Sequence, residues 1–160
     1  MLLLSVSCGY NLIGKGNYLP EDIKTIRVDM VQNVSYKYGI ESQVTNALID
    51  RLSSYSGIDV VNKGKADAVL KGRIKNYVLK PIEIDQGGYV TKYQISISLS
   101  MNLLRLATNE DIWRDDDLYF YKNLDVSQSI VDSLEFESRA LEDISEEIAD
   151  RVITTILMNF

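Results

Sequence analysis

Cationic side chains alternate along one stretch of the sequence, where they could bind phosphate groups or an anionic lipid head group. Lys71, Arg73 and Lys75 are separated by single residues, and Lys80 and Lys92 follow. Alternate side chains of an extended strand point to the same face, so the first three would form a basic stripe. Such a stripe binds phosphates through charge and hydrogen bonds. The alternative is that these cations only keep the exposed face of a strand soluble.

A second residue with chemical potential is Cys8, the only cysteine in the sequence. It follows a short apolar run, residues 1–4, and a small residue, Ser7. This order is typical of the end of a bacterial lipoprotein signal peptide, in which the cysteine is acylated and becomes the new N-terminus. We therefore predict that residues 1–7 are the remnant of a signal peptide and that a lipid on Cys8 anchors the mature chain. The alternative is a buried thiol near the chain terminus.

The composition excludes several functional classes. The 160 residues include no histidine, which removes the Ser-His-Asp triad and the usual zinc ligand together. The net charge of −6 argues against a nucleic-acid-binding protein. The acidic run at residues 115–117 lacks the glycine and distal glutamate of a calcium loop, so we predict no metal site. Without histidine or a usable cysteine only carboxylates could catalyse a reaction, and no paired arrangement of them stands out, so we predict no enzymatic activity and no cofactor.

Apolar periodicity predicts the elements that must position these residues. Alternating apolar residues predict half-buried strands, and apolar residues spaced by three and four predict amphipathic helices. Strand patterns occupy residues 24–31, 66–84, 89–106 and 112–121, with a possible short strand at 58–61; helix patterns occupy 39–55 and about 138–158. We predict an α+β domain with two helices packed on one face of a single mixed, mostly antiparallel sheet of about four strands.

The two longest strand patterns predict an antiparallel hairpin with one buried face and one polar face. Residues 93–103 carry apolar side chains at alternate positions, and Ser96, Ser98 and Ser100 lie between them. The glycines of residues 85–88 supply a turn between this strand and the strand that carries the cations. The predicted organisation is thus a signal remnant (1–7), a lipid-anchored linker (8–22) and one periplasmic domain (23–160).

An ordered series of short motifs resembles a known family. The series begins with Cys8-Gly9-Tyr10-Asn11-Leu12 and includes Gly39-Ile40-Glu41 and the stretch from Ala66 to Ile74. It ends in the last helix with Ile148-Ala149 and Arg151-Val152. This series is similar to the lipopolysaccharide-assembly lipoprotein LptE family over nearly the whole mature chain.

The resemblance implies a role without enzymatic chemistry. Members of the family are outer-membrane lipoproteins that sit as a plug inside the β-barrel protein LptD, and the pair delivers lipopolysaccharide to the outer leaflet. Members also bind lipopolysaccharide through basic residues, a role that we assign here to Lys71, Arg73, Lys75 and Lys92. Gly9 after the acylated cysteine is compatible with release to the outer membrane.

A second function remains open at the level of sequence. A different periplasmic lipoprotein of α+β build, acting as an adaptor or activator of an envelope enzyme, would share the anchor and the fold class. It would have no barrel partner.

Overall fold

The structure is a computed structural model that describes residues 19–126 and 130–158, without the side chains of residues 130–135. One sheet carries a layer of two helices on one of its faces. The strands are β1 (Thr25–Val28), β2 (Gln32–Asn33), β3 (Asp59–Val60), β4 (Ala68–Ile84), β5 (Val90–Arg105) and β6 (Glu110–Asp125), and the helices are α1 (Ile40–Ser53) and α2 (Ile130–Met158). The predicted signal remnant and the predicted acylation site Cys8 lie outside the described residues.

The sheet corrects two parts of the prediction. It has six strands rather than about four, and it is mixed rather than mostly antiparallel. The strand order is β3-β1-β4-β5-β6, and β2 pairs with β4 beyond the end of β1. The pairings of β1 with β3, of β1 with β4 and of β2 with β4 are all parallel. Two-residue strands such as β2 and β3 are too short to show alternation, and parallel pairing depends on a distant part of the chain.

The first strand ends earlier than its apolar pattern predicts. Val28 pairs with Leu70, and Gln32 then pairs with Arg73, so four steps along this segment match three along β4. This extra residue reverses which side chains point to the core, so positions that would face solvent after Val28 face the core instead. Val31 is therefore buried and Met30 is 62% exposed, although the pattern of Ile26, Val28 and Met30 predicts a common face.

A bulge also explains why the sequence pattern of β6 is poor. Leu118 pairs with Leu99 and Asp115 pairs with Met101, so Asp116 and Asp117 together oppose Ser100. Leu118 and Phe120 are buried on one side of this bulge and Trp113 on the other. Read through the bulge, the alternation is regular from Trp113 onward, and β6 extends to Asp125; a second irregularity leaves Ile112 unpaired.

Asp67 holds β1 against β4 at the point where the parallel pairing begins. Its Oδ2 atom accepts hydrogen bonds from the backbone N–H groups of Lys24 (3.0 Å) and Thr25 (2.8 Å) and from the Thr25 hydroxyl (2.7 Å). The bonds to Thr25 and Lys24 lower the pKa of Asp67. They stabilise the carboxylate and with it a contact between segments more than forty residues apart in the chain.

The helices cover the apolar face of the sheet. The buried residues of α1 recur at three and four, as its sequence predicts, and those of α2 do the same from Ala140 to Ile156. Thr45 joins α1 to the sheet, because its hydroxyl donates to the Glu41 carbonyl (2.6 Å) and accepts from the Val31 N–H (3.0 Å). Helix α2 begins at Ile130, about two turns before the predicted start.

A partly buried polar cluster holds the N-terminal half of α2 against the sheet. Glu137 Oε1 accepts hydrogen bonds from Lys37 Nζ (2.6 Å) and from the hydroxyl of Tyr77 in β4 (2.6 Å). Tyr36 packs edge-on against Tyr77, with ring centroids 5.5 Å apart. Burial raises the pKa of Glu137, but the hydrogen bonds from Lys37 and Tyr77 outweigh burial, and the net pKa is lowered. The cluster therefore joins α2, β4 and the loop before α1.

Gly72 leaves room for the segment between β1 and β2 to pack over β4. A Cβ atom at this position would lie inside van der Waals contact with Met101 Sδ and 3.1 Å from Val31 Cγ2. We predict that Gly72→Val lowers the free energy of unfolding by about 1–3 kcal/mol, the usual cost of overpacking a core. Chemical denaturation measures this change. The control is Lys71→Val, on the exposed face next to it; equal losses in both variants would contradict the packing role of Gly72.

The Glu137 cluster predicts a pH dependence of stability. A carboxyl group whose pKa is lower in the folded state stabilises the fold above its unfolded pKa, near 4.5, and this stabilisation is lost as the pH falls through the folded pKa. We expect Glu137→Gln to destabilise the protein by on the order of 1–2 kcal/mol at pH 7. The variant should lose less stability than the wild type between pH 6 and pH 3. Thermal denaturation across this range measures the effect, and Glu147→Gln, at an exposed position of α2, is the control. If Glu137→Gln followed the wild-type curve as the control does, the role of Glu137 would be refuted.

Candidate functional site

The predicted cationic residues lie on the central strand of the sheet. Strand β4 pairs with β1 and β2 along one edge and with β5 along the other, so its backbone is held on both sides. Leu70 and Ile74 point into the core, whereas Lys71 and Arg73 are exposed on the opposite face, which no described helix covers. We call this the outer face of the sheet. Two residues along a strand are about 7 Å apart, so both cations can contact one phosphorylated ligand.

Lys71 and Arg73 make no hydrogen bond or ion pair with any residue that the structure describes. Lys71 lies opposite Asn102 of β5, and Arg73 lies between Gln32 of β2 and Ser100 of β5. These three paired neighbours are uncharged. On the β1 side of Lys71 the adjacent carboxylate, Asp29, is already paired with Arg27 at 2.8 Å. Cations without a carboxylate partner remain available to an anion from outside the protein.

Lys75 is on the same face but has partners of its own. It is the extra residue of a bulge, since Ile74 pairs with Leu99 and Asn76 with Ser98. Its ammonium group donates to the Asp116 carbonyl, and it lies 3.5 Å from Asp117 Oδ1. A ligand anion would therefore have to compete with Asp117 for Lys75.

Lys92 does not join the other three. It pairs with Glu83, which is eight residues beyond Lys75 on β4, so it lies roughly 25 Å from Lys75 along the sheet. Its ammonium group forms ion pairs with Glu83 (3.1 Å) and Asp125 (3.5 Å). The hydrogen bond and the charge of Glu83 raise the pKa of Lys92. Of the four cations predicted from the sequence, Lys71 and Arg73 are therefore unpaired, Lys75 beside them is paired, and Lys92 is both paired and distant.

The acidic run at residues 115–117 makes ion pairs and hydrogen bonds with its neighbours. Asp116 pairs with Arg114 at 2.8 Å, and the hydrogen bond from Arg114 lowers the pKa of Asp116. Asp115 accepts a hydrogen bond from the Asp117 N–H. Among the residues that the structure describes, no group of carboxylates has the arrangement of a metal site.

A polar groove of about 560 Å³ lies between the two helices, away from the cations. Carboxylates line it on both sides, including Asp50 of α1 and Glu146 of α2. Arg51 crosses it to form an ion pair with Asp150 at 2.6 Å. Arg51 is the one cationic side chain among the described lining residues and it is already paired, so the groove does not favour a phosphorylated ligand. None of the helices in residues 19–126 and 130–158 is long and apolar enough to cross a bilayer.

The sequence reasoning missed the tyrosines of β6 that share the outer face. Tyr119 pairs with Ser98 and Tyr121 with Ser96, and both tyrosines are more than half exposed. Their alternation is hidden in the sequence because the buried residues that alternate with them, Leu118 and Phe120, are also apolar. The signal that could have found them is the regular alternation of serines on the neighbouring strand.

Comparisons with known proteins agree with this architecture. A family model described as "LptE: Lipopolysaccharide-assembly" matches residues 23–156. A solution structure of lipoprotein B from Nitrosomonas europaea matches with a TM-score of 0.61 at 17% identity, covering 93% of this chain and 90% of that one. The crystal structure of rare lipoprotein B from Shewanella oneidensis matches with a TM-score of 0.57 at 12% identity, covering 80% and 93%.

A putative lipoprotein from Caulobacter crescentus has a TM-score of 0.57 at 11% identity and covers 80% of this chain and 88% of that one. At these identities the structural neighbours establish the fold alone. A search of curated proteins finds none that matches. The family model covers most of the sequence, including every strand and nearly all of both helices, and on this ground the chain belongs to the LptE lipopolysaccharide-assembly family.

Proposed function

We propose that this chain is the lipid-anchored subunit of an outer-membrane lipopolysaccharide-assembly complex. In this role it plugs and helps to assemble an LptD-type β-barrel, and it binds lipopolysaccharide while the lipid passes to the outer leaflet. It performs no catalysis of its own. Membership in the family supports the barrel partner and the periplasm-facing position within the barrel lumen.

The observation that carries lipopolysaccharide binding is the pair of unpartnered cations on the outer face. Lys71 and Arg73 project from a strand whose backbone is held by neighbours on both edges. Lipopolysaccharide carries phosphate groups on its sugars, and Arg and Lys are the side chains that bind phosphate. A rigid display of two cations gives up little conformational entropy in the backbone when the ligand binds.

The lipid anchor is part of the proposal through Cys8, and Gly9 after it fits release to the outer membrane. The described chain starts at Leu19, which is buried against the core, and Asp22 lies 3.3 Å from Arg105. The last residues before β1 are therefore fixed to the domain.

Charge reversal tests the proposed site. We expect Lys71→Glu combined with Arg73→Glu to weaken binding of purified lipopolysaccharide by about tenfold or more, because two attractive charges become repulsive. Binding of the full-length, detergent-solubilised protein is measured by light scattering or surface plasmon resonance. The matched control is Lys63→Glu with Lys65→Glu, which changes net charge equally on an exposed loop. Equal losses in the two double variants would contradict a local site.

The ion pairs rank the remaining two cations. Because Lys75 and Lys92 already have carboxylate partners, we expect Lys75→Ala and Lys92→Ala each to weaken lipopolysaccharide binding less than Arg73→Ala does. The same binding assay gives the ranking. A larger loss from Lys92→Ala than from Arg73→Ala would move the site to the far end of the sheet.

The partner claim has a separate test. We expect the full-length protein, extracted from membranes, to co-purify with a β-barrel outer-membrane protein in equal amounts. Mass spectrometry of the co-purified material identifies the partner. If a soluble envelope enzyme is recovered in its place, the adaptor function considered from the sequence applies. Charge reversal at Lys71 and Arg73 should leave a barrel partner bound, since the proposal assigns those residues to the lipid.

A further inference from the structure

On the outer face of the sheet, small side chains of β5 lie between larger ones of β4 and β6, and this difference in size makes a shallow trough. Its floor is formed by Ser96, Ser98 and Ser100, which alternate on β5, the middle strand of the antiparallel ribbon. From Ser96 to Ser100 the floor extends about 13 Å. We call this feature the serine trough. Its two walls come from the neighbouring strands and differ in chemistry.

One wall is aromatic beside Ser96 and Ser98. Beside Ser100 it is acidic, where Asp116 pairs with Arg114 and Asp117 lies 3.5 Å from Lys75. Tyr121 lies opposite Ser96 and Tyr119 lies opposite Ser98, at the spacing of directly paired residues in adjacent strands. The two rings are 6.3 Å apart between centroids and tilted by 34°. Tyr119 is 52% exposed and Tyr121 is 57% exposed, and neither hydroxyl has a hydrogen-bond partner among the described residues. The wall thus presents two roughly aligned aromatic surfaces to solvent.

The other wall comes from β4 and becomes cationic toward one end. Val78 lies opposite Ser96, Asn76 opposite Ser98 and Arg73 opposite Ser100. The cationic end of the serine trough is therefore continuous with Lys71 and Arg73. A ligand in the trough would meet an amide at its centre and a guanidinium at its end.

Ser96 is the least exposed residue of the floor, at 8%. Its hydroxyl has no hydrogen bond to any residue in the described part of the chain, and its oxygen still reaches solvent. A ligand hydroxyl could replace the water that bonds to it.

We propose that the serine trough binds the sugar rings of a phosphorylated saccharide, with Tyr119 and Tyr121 stacking on the rings and Arg73 binding a phosphate. Sugar rings have apolar C–H faces that pack on aromatic rings, and hydroxyl edges that bond to serine and asparagine. An acyl chain would gain nothing from a floor of hydroxyl groups. This inference rests on the proposed function, and it assigns the saccharide rather than the acyl part of lipopolysaccharide to this face.

The test uses the full-length protein in detergent and a saccharide probe without lipid. The probe is lipopolysaccharide from which all acyl chains have been removed while the phosphates remain. We expect calorimetric binding of this probe, and we expect Tyr119→Ser combined with Tyr121→Ser to weaken it by about tenfold. Tyr119→Phe with Tyr121→Phe should retain most of the affinity, because stacking needs the ring. The matched control is Tyr38→Ser with Tyr89→Ser, two exposed tyrosines elsewhere on the surface.

Each other outcome has a distinct meaning. If the variant with serine at positions 119 and 121 bound the probe with unchanged affinity, the stacking role of the two tyrosines would be refuted. Recognition of the saccharide would then depend on charge alone. Binding of intact lipopolysaccharide without binding of the deacylated probe would overturn the saccharide assignment but leave the proposed function standing. If the wild-type protein bound neither molecule, the proposal that it binds lipopolysaccharide would be refuted, and this inference would be refuted with it.

Discussion

The alternation of residue types along β4 and β5 is the constraint on which the rest of the structure depends. On β4, Leu70 and Ile74 enter the core while Lys71 and Arg73 enter solvent. A slip of one residue in the register would exchange these faces and place two charges under the helices, at a large desolvation cost. Core packing and display of the cations are therefore two consequences of one register. The parallel contact at Asp67 and the close packing at Gly72 stabilise the same register from the other edge of β4.

The parts of the fold that the sequence predicts are those with local, repeated signals. The long strands β4 and β5 and the amphipathic helix α1 agree closely with their patterns, as does the C-terminal part of α2. The strands β2 and β3 were not predictable in the same way, because two residues cannot alternate and their pairing partners lie far along the chain. The bulges at Lys75 and at Asp116–Asp117 shift the phase of two strands and obscure the pattern of β6.

The same distinction applies to the candidate site. The spacing of Lys71 and Arg73 is sufficient to predict a shared face, since it depends only on strand geometry. The partners of Lys75 and Lys92 come from β6 and from the far end of β4, so the sequence alone could not show that these two cations are paired. The tyrosines opposite the serines were also out of reach, because cross-strand neighbours follow from register rather than from composition. The outer face is therefore more specific in its chemistry than a stripe of lysines and arginines.

We propose that the two layers of the protein have different roles: the helices close the core, and the outer face of the sheet binds lipopolysaccharide. The most direct test is photocrosslinking in cells from single positions. A photoreactive amino acid placed at position 100, on the trough floor, should crosslink to lipopolysaccharide, and one placed at position 147, on the exposed side of α2, should not. Crosslinking from the helix position and none from the trough would contradict the assignment of the lipopolysaccharide-binding surface to the outer face of the sheet.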